Sequence, residues 1–125
     1  MAGVGYASAT TRVFAVIGDP VRHSLSPALH AAAIRASGID ATYVAFEVAA
    51  GSAVEAIRGA TALGLAGLSV TMPHKQSVIA ALDALDPVAA RLDAVNCVSF
   101  AGPVHERVAR GHRLAQPRLL GGVAT

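Results

Sequence analysis

Short apolar runs alternate with segments of helical length along most of the chain, and this alternation constrains the fold more than any other feature. Four runs rich in β-branched and apolar residues are typical of strands buried on both faces: RVFAVIG (12–18), ATYVAFEV (41–48), AGLSV (66–70) and AVNCVSF (94–100). Strands separated by helices form βαβ units. The sequence therefore predicts an α/β fold of three layers, in which a mainly parallel sheet has helices on both faces.

Start and stop signals place helices between the predicted strands. Ser26 followed by Pro27 is a helix start of the N-cap and N1 type, and the helix it opens ends at Gly38. Ser52 and Glu55 have capping-box spacing ahead of a second helix. Two shorter helices are predicted after the third strand, over residues 76–82 and 86–92.

At 125 residues, the chain is long enough to bury the core of one domain without disulfides or a structural metal. We expect a flexible N-terminus over residues 1–11, a folded domain over 12–100 and a poorly ordered tail over 101–125. The tail differs in composition, since it holds four of the ten basic residues and one of the eight acidic ones. The body of the chain is close to neutral.

Composition disfavours several classes of protein. No uncharged run reaches the roughly 18 apolar residues of a membrane span, and the first residues lack the pattern of a signal peptide, so we expect a cytoplasmic protein without a membrane partner. Aromatic residues make up 4% of the chain and the body has no basic patch, which disfavours nucleic acid as a partner. The histidines do not have a metal-binding spacing, so we expect no metal site.

Cys97 is the only cysteine, which excludes an intramolecular disulfide. It lies in the fourth apolar run, where we expect burial without reactivity.

The loop after the first strand contains two serines that could bind an anion. Ligands of open parallel sheets collect at the carboxyl ends of the strands. Ser24 and Ser26 lie there, just before a helix, so their hydroxyls and nearby backbone N–H groups suit a carboxylate or a phosphate. In the alternative interpretation, Ser26 only caps its helix and Ser24 is solvated.

The loop after the third strand, VTMPHK, interrupts two apolar runs and contains the only lysine. Thr71 ends the strand, Pro73 fixes the turn and Lys75 precedes a helix start. An ammonium group is disfavoured near the positive end of a helix, which suits a residue that exchanges a proton near neutral pH. The alternative is an ordinary solvated lysine. We expect His74 to shape the pocket entrance or face water rather than to act as a base.

Asn96 lies at the start of the fourth predicted strand, which is the wrong end for this site if that strand is parallel to the others. If the strand is antiparallel, its start meets the carboxyl ends of the first and third strands, and Asn96 could reach a bound hydroxyl. If it is not, Asn96 is a turn residue. Both interpretations stay open at this point.

Three motifs occur in a fixed order: GDPVRHSLSPALHAAAI, GLAGLSVTMPHK and DAVNCV. Together, over about residues 12–99, they resemble the N-terminal substrate-binding domain of shikimate dehydrogenases. The resemblance implies descent from an oxidoreductase that converts shikimate and NADP to 3-dehydroshikimate and NADPH in aromatic amino-acid biosynthesis. The substrate expected from it is a small molecule, shikimate or quinate.

The resemblance also implies roles for five residues. Ser24 and Ser26 match the serines that hold the substrate carboxylate. Thr71, Lys75 and Asn96 match residues that bind the ring hydroxyls. Lys75 also matches the catalytic residue, which helps to remove the proton of the C3 hydroxyl while the hydride passes to the nicotinamide.

The chain departs from this family after the VN element. The family continues into an Asn-Thr-Asp element whose aspartate pairs with the lysine, whereas here Cys97 follows Asn96 and no aspartate occurs after Asp93. The family binds NADP on a separate Rossmann domain, for which 125 residues leave no room. We therefore expect the isolated chain to be inactive, with a separate cofactor-binding domain or a second copy as partner. The alternatives are a shikimate- or quinate-binding module and a non-catalytic remnant.

Overall fold

A computed structural model describes residues 7–103 and 106–114, in which six strands form one sheet of order β2-β1-β3-β5-β6-β4. The strands are β1 (Arg12–Gly18), β2 (Ala41–Glu47), β3 (Gly67–Val70), β4 (Ala84–Leu85), β5 (Cys97–Ala101) and β6 (Val108–His112). β1 is parallel to β2 and β3, and β4 is parallel to β6. Only β5 is antiparallel to its neighbours, β3 and β6. The predicted α/β fold with a mainly parallel sheet is confirmed.

Helices cover both faces of this sheet. The described helices are α1 (Ser26–Ser37), α2 (Ala53–Leu63), α3 (Pro87–Leu92) and a short 3₁₀ helix (Ser77–Ala81). α1 packs on one face through Ile34, whose buried neighbours include Phe14 and Val16 of β1. α2, α3 and the 3₁₀ helix contribute Ile57, Ala89 and Val78 to the core on the other face. The three predicted layers are therefore present.

The interior strand β1 shows why polar residues do not alternate with apolar ones in the predicted strands. Phe14 and Val16 belong to the core under α1, whereas Ala15 and Ile17 belong to the core under α2. Because successive side chains point to opposite faces, a strand covered on both sides is apolar at every position.

The helix starts differ in detail from those predicted. Ser26 was expected to be the N-cap of α1, but Leu25 takes that position, and the Ser24 Oγ accepts a hydrogen bond from the Ser26 N–H at 3.2 Å. Ser52 is the N-cap of α2, as predicted, although its side chain makes no capping hydrogen bond. The predicted helix over 76–82 is a 3₁₀ helix.

The prediction of a poorly ordered tail is wrong for β6, which lies inside residues 101–125 and pairs with both β5 and β4. Its sequence, VARGH, contains an arginine and a glycine, so it does not read as a strand. A Cβ atom at Gly111 would lie 2.6 Å from Leu82 Cδ1 and 2.8 Å from Val95 Cγ2, so a side chain there would force these neighbouring side chains to shift. This strand therefore depends on pairing with β5 and β4 and on packing around Gly111, which the sequence does not reveal.

The outer parts of both predicted terminal segments, residues 1–6 and 115–125, lie outside the described residues. For these parts, the flexible N-terminus and the poorly ordered tail stay predictions. In the described part of the N-terminal segment, the hydroxyls of Thr10 and Thr11 each donate a 2.7 Å hydrogen bond to the Asp40 carboxylate. Among the described helices, none is long and apolar enough to cross a membrane.

Candidate functional site

One edge of the sheet brings together the end of β1, the end of β3 and the start of β5. The Thr71 N–H donates to the Ile17 carbonyl at 3.0 Å, which joins the ends of β3 and β1. The Val70 N–H donates to the Asn96 carbonyl at 2.9 Å, which joins the end of β3 to the residue before β5. Because β5 is antiparallel, Asn96 lies at the same edge as the Thr71 loop. The interpretation that placed it at the wrong end is excluded.

The loop of Thr71 forms a closed turn against β1. The His74 N–H donates to the Thr71 carbonyl at 3.0 Å, and Pro73, whose peptide bond with Met72 is cis, lies inside the turn. The absence of a side chain at Gly18 makes room for Thr71, since a Cβ atom there would contact the threonine methyl group. The packing of β1 therefore fixes the position of Thr71.

Lys75 is half-buried and lies directly before the N-cap residue of the 3₁₀ helix. Its carbonyl accepts a hydrogen bond from the Val95 N–H at 2.8 Å, so its backbone is attached to the segment that leads to Asn96. Within the described part of the chain, no carboxylate oxygen lies within 4.0 Å of its ammonium nitrogen. Among these residues, the Lys75 ammonium group therefore has no ion-pair partner.

The prediction for His74 is wrong, because its side chain is 1% exposed and neither faces water nor lines an entrance. Its Nε2 donates to the Val48 carbonyl at 2.6 Å, while Nδ1 is buried without a hydrogen-bond partner. His74 therefore attaches the turn to the chain just after β2. The sequence signal was misleading because the adjacent lysine suggested a solvated position.

The two predicted anion-binding serines lie at the start of α1, beyond the carboxyl end of β1, and both are half-buried. Ser24 is held in a turn through its N–H, which donates to the Val21 carbonyl at 3.0 Å. The residues around them are open to solvent, since Leu25 is 73% exposed and Leu29 is 68% exposed. The surface beside the two serines is therefore accessible to solvent.

Two buried residues that the sequence analysis did not single out, Tyr43 of β2 and Ser69 of β3, are joined by a hydrogen bond. Tyr43 Oη donates to Ser69 Oγ at 2.9 Å, and the His30 ring stacks on the Tyr43 ring at 4.1 Å. Burial raises the pKa of Tyr43, and the hydrogen bond with Ser69 partly offsets this. Tyr43 and Ser69 lie in runs that were assigned to the core. The sequence indicated their pairing only through the presence of polar groups in otherwise apolar strands.

The side chain of Asn96 is hydrogen-bonded to the segment after β6. Its Nδ2 donates to the Leu114 carbonyl at 2.7 Å, and its Oδ1 accepts from the Leu114 N–H at 2.9 Å. The residue is 6% exposed. The end of β6 is therefore held at the candidate site by a paired hydrogen bond.

Cys97 is buried, as predicted. Burial raises the pKa of its thiol to about 11, and the nearby Asp86 charge adds to the effect. A thiol in this state is not a nucleophile at neutral pH, so Cys97 is part of the core.

A separate cleft of about 500 Å³ lies at the other edge of the sheet, where α2 ends and leads into β3. It is lined by Arg58, Thr61, Ala62, Ala80, Ala81, Leu82, Asp83 and Arg107. None of the five predicted site residues lines it, so it is not the predicted ligand site.

The described residues do not fit NADP. A dinucleotide site needs a glycine-rich turn between a strand and a helix, where the pyrophosphate meets the helix N-terminus. The turn from β1 to α1, residues 19–25, contains no glycine and carries Pro20 and Arg22 instead, and the turn from β2 to α2 contains one glycine, Gly51. No cofactor step is therefore derived from this part of the chain.

An open α/β sheet with serines at a helix start and a lysine beyond a strand end places its polar side chains at the carboxyl edge, where sheets of this class bind ligands. The chain matches the family model described as "Shikimate dehydrogenase substrate binding domain" over residues 16–98. It belongs to that family.

Its relatives are longer enzymes. The chain is 55% identical over 92 residues to the shikimate dehydrogenase (NADP(+)) of Thermococcus kodakarensis, covering 74% of this chain and 34% of that protein. It is 58% identical over 90 residues to the enzyme of the same name from Halobacterium salinarum, covering 72% and 34%. The structure of shikimate 5-dehydrogenase from Listeria monocytogenes in complex with shikimate and NAD has a TM-score of 0.78 and 36% identity, covering 85% of this chain and 35% of that one. The chain thus spans about a third of these relatives.

Proposed function

We propose that the chain is the substrate-binding part of an NADP-dependent shikimate dehydrogenase, and that it binds shikimate at the edge where β1, β3 and β5 meet. The observation that carries the proposal is the antiparallel direction of β5, which brings Asn96 to the Thr71 loop. The relatives support it, since they are named shikimate dehydrogenase (NADP(+)), and the similar Listeria structure contains shikimate.

Each candidate residue then has a chemical task. Ser24 and Ser26 donate hydrogen bonds to the carboxylate of shikimate at the start of α1. Thr71 holds one ring hydroxyl, Asn96 offers another the Nδ2 N–H that Leu114 does not use, and the neutral amine form of Lys75 takes up the proton of the hydroxyl that is oxidised. The unpaired state of Lys75 is compatible with this role, because no neighbouring carboxylate in the described chain occupies its side-chain nitrogen, which is free to contact the substrate hydroxyl.

The NADP of the relatives is bound, in this proposal, by a part of the enzyme that the described residues do not include. The isolated chain then binds substrate without transferring a hydride. A separately supplied cofactor-binding domain, or a homodimer, would be its partner. The second candidate function is a shikimate- or quinate-binding module, or a non-catalytic remnant, and the lack of an aspartate after Asp93 favours it.

Calorimetric titration of the chain with shikimate tests the proposal. We expect saturable binding that Ser26→Ala weakens about tenfold, because a hydrogen bond to a charged group is lost. Thr125→Ala, far along the sequence from all five residues, should leave the affinity unchanged. Absence of binding at millimolar shikimate by a chain with a native circular dichroism spectrum would refute the proposal. Equal affinity for quinate would favour the general binding module.

A further inference from the structure

The side chains of Ser99, His112 and Asp86 form a connected row outside the candidate site. Ser99 Oγ and His112 Nε2 are hydrogen-bonded at 2.9 Å, and His112 Nδ1 lies 3.4 Å from Asp86 Oδ2. A hydroxyl at one ring nitrogen and a carboxylate at the other is the arrangement in which a serine acts as a nucleophile. The proposed function uses none of these three residues.

The paired strands β5 and β6 and the residue before α3 hold this row in place. Ser99 of β5 is opposite Arg110 of β6, and His112 lies two residues further along β6, on the same face of the sheet. The Asp86 N–H donates to the Gly111 carbonyl of β6 at 2.9 Å, which brings the carboxylate next to His112. Groups that a folded backbone already holds in place need little rearrangement before a reaction.

The Asp86 carboxylate determines which nitrogen of His112 carries the proton. Its Oδ1 accepts the Ala89 N–H at 2.7 Å, and this hydrogen bond is the main cause that lowers the pKa of the carboxyl group, which is therefore ionised at neutral pH. Its Oδ2 can only accept, so it favours a proton on His112 Nδ1. In the neutral ring, Nε2 is then the acceptor of the Ser99 Oγ–H, as a general base must be.

Ser99 lies on the part of the sheet that the described helices cover least. Val98 and Phe100, its neighbours in β5, belong to the core under α2, so Ser99 points to the opposite face. The buried cluster under α1 on that face contains residues of β1, β2 and α1 but none of β5 or β6. Ser99 and His112 are half-buried rather than buried. Within the described chain, this half of the face is therefore partly open to solvent.

Two further residues of β6 lie on the same face as Ser99. Arg110 is exposed, and among the described residues no carboxylate oxygen lies within 4.0 Å of its guanidinium. A cation beside a nucleophile stabilises the negative oxygen that forms when a hydroxyl attacks a carbonyl group. Val108 is 46% exposed and is paired with the exposed Ala101, so a small apolar surface lies two residues from Ser99 along β5. This surface suits a short aliphatic chain.

We propose that Ser99, His112 and Asp86 form a second site, which hydrolyses activated esters of short aliphatic acids. Ser99 Oγ attacks the ester carbonyl carbon and forms a new C–O bond, while its proton passes to His112 Nε2. The oxyanion lies beside the Arg110 guanidinium. The bond to the leaving alcohol then breaks, and the alcohol oxygen takes the proton from Nε2. Water removes the acyl group by the same steps, which releases the carboxylic acid and restores the Ser99 hydroxyl.

Incubation of the full chain with p-nitrophenyl acetate tests the proposal. Absorbance follows the release of p-nitrophenol, and mass spectrometry identifies the acetylated residues. We expect Ser99 to be acetylated about 100-fold faster than Ser77, because a positioned base accelerates attack by about 10²–10⁴. Ser77 is the matched control, since it is exposed and its described hydrogen bond goes to the backbone carbonyl of His74.

The two serine variants give the corresponding loss of activity. Ester hydrolysis above the rate in buffer should fall about tenfold or more in Ser99→Ala and stay unchanged in Ser77→Ala. Acetylation of both serines at the same rate overturns the proposal, and so does hydrolysis that Ser99→Ala leaves unchanged. Since Ser99 is not among the five residues of the proposed function, either result leaves the shikimate titration as an independent test.

Asp86→Asn separates the positioning role of the carboxylate from its role as the N-cap of α3. Asparagine keeps an oxygen for the Ala89 N–H, and its NH₂ group then faces His112 Nδ1, which favours a proton on Nε2 instead. Acetylation of Ser99 should fall about tenfold, because Nε2 no longer accepts the hydroxyl proton. Nitrogen NMR of the His112 ring should show the change of tautomer. If either the tautomer or the rate stays the same, Asp86 does not orient the base.

Discussion

The phenol of Tyr43 joins three elements of the fold at one point. It lies on β2, donates to Ser69 of β3 at 2.9 Å, and stacks on His30 of α1. Tyr43 is 5% exposed and Ser69 is 8% exposed, so neither hydroxyl can turn to bulk water. A buried pair of this kind is costly to break on one side only, because the remaining partner loses its hydrogen bond without regaining water.

Tyr43→Phe should therefore lower the free energy of unfolding by about 1–2 kcal/mol. The ring and its stacking on His30 are retained, so the change isolates the hydroxyl. Urea unfolding followed by circular dichroism measures the effect. In the double variant Tyr43→Phe/Ser69→Ala, both polar groups are gone, and the loss should be smaller than the sum of the two single losses. Additive losses would show that the two hydroxyls are not coupled.

Gly18 illustrates how a residue without a side chain can define a site. A Cβ atom there would contact the Thr71 methyl group and lie 3.3 Å from the Met72 carbonyl. Gly18→Ala should cost about 1–3 kcal/mol of stability through overpacking and should displace Thr71. Thermal unfolding and shikimate titration measure the two effects.

Gly59→Ala is the matched control for this change. Gly59 lies inside α2, and a Cβ atom there would meet no heavy atom within 4 Å. Alanine should therefore stabilise the chain by about 0.5–1 kcal/mol, because it restricts the unfolded chain and favours helix. If both glycine variants change stability in the same direction, close packing at Gly18 is not the cause.

Among the elements, α3 depends on a single capping residue. The Asp86 carboxylate accepts the Ala89 N–H at 2.7 Å, and this backbone hydrogen bond is the main cause that lowers its pKa from 3.8. A carboxyl group with a lowered pKa in the folded state stabilises the fold above its unfolded pKa. This contribution is lost as the pH falls through the folded value.

Asp86→Ala should cost about 1 kcal/mol at neutral pH, as is usual for loss of an N-cap. The difference from the unsubstituted chain should shrink as the pH falls below 3.8 and the carboxyl group is protonated in both states. Asp86→Asn keeps a capping oxygen but does not titrate, so its stability relative to Asp86→Ala should not change over this pH range. Urea unfolding at a series of pH values measures the free energy of unfolding of each variant. A loss in Asp86→Ala that stays constant as the pH falls would contradict the prediction.

The elements that the sequence predicts well are those that local patterns determine. β1 and α1 match their predicted ranges because an apolar run and a closing glycine mark them. β4 has two residues, and β6 contains arginine and glycine, so both depend on pairing with strands elsewhere in the chain. Long-range pairing of this kind leaves no local pattern.

In the candidate site too, local features could be predicted from the sequence and long-range contacts could not. The motifs predicted Thr71 and Lys75, and the direction of β5 confirms that Asn96 shares their edge. The partner of Asn96 could not be predicted, because it is a backbone group 18 residues away. The Tyr43–Ser69 hydrogen bond could not be predicted either, because it joins residues 26 positions apart in the sequence. Residue type indicates which groups can bind, but only the fold shows which of them are already occupied.

The strand order has a consequence for how the molecule assembles. Among the described strands, β4 pairs only with β6, and β6 lies between β4 and β5 although it follows both in the chain. During synthesis, β1, β2, β3 and β5 can form a four-stranded sheet before β6 has emerged, while β4 has no strand to join. The arrival of β6 then completes the sheet and brings Leu114 to Asn96 in one event. Backbone amides of β4 should therefore gain protection from hydrogen exchange later than those of β1, although β4 leaves the ribosome before β5.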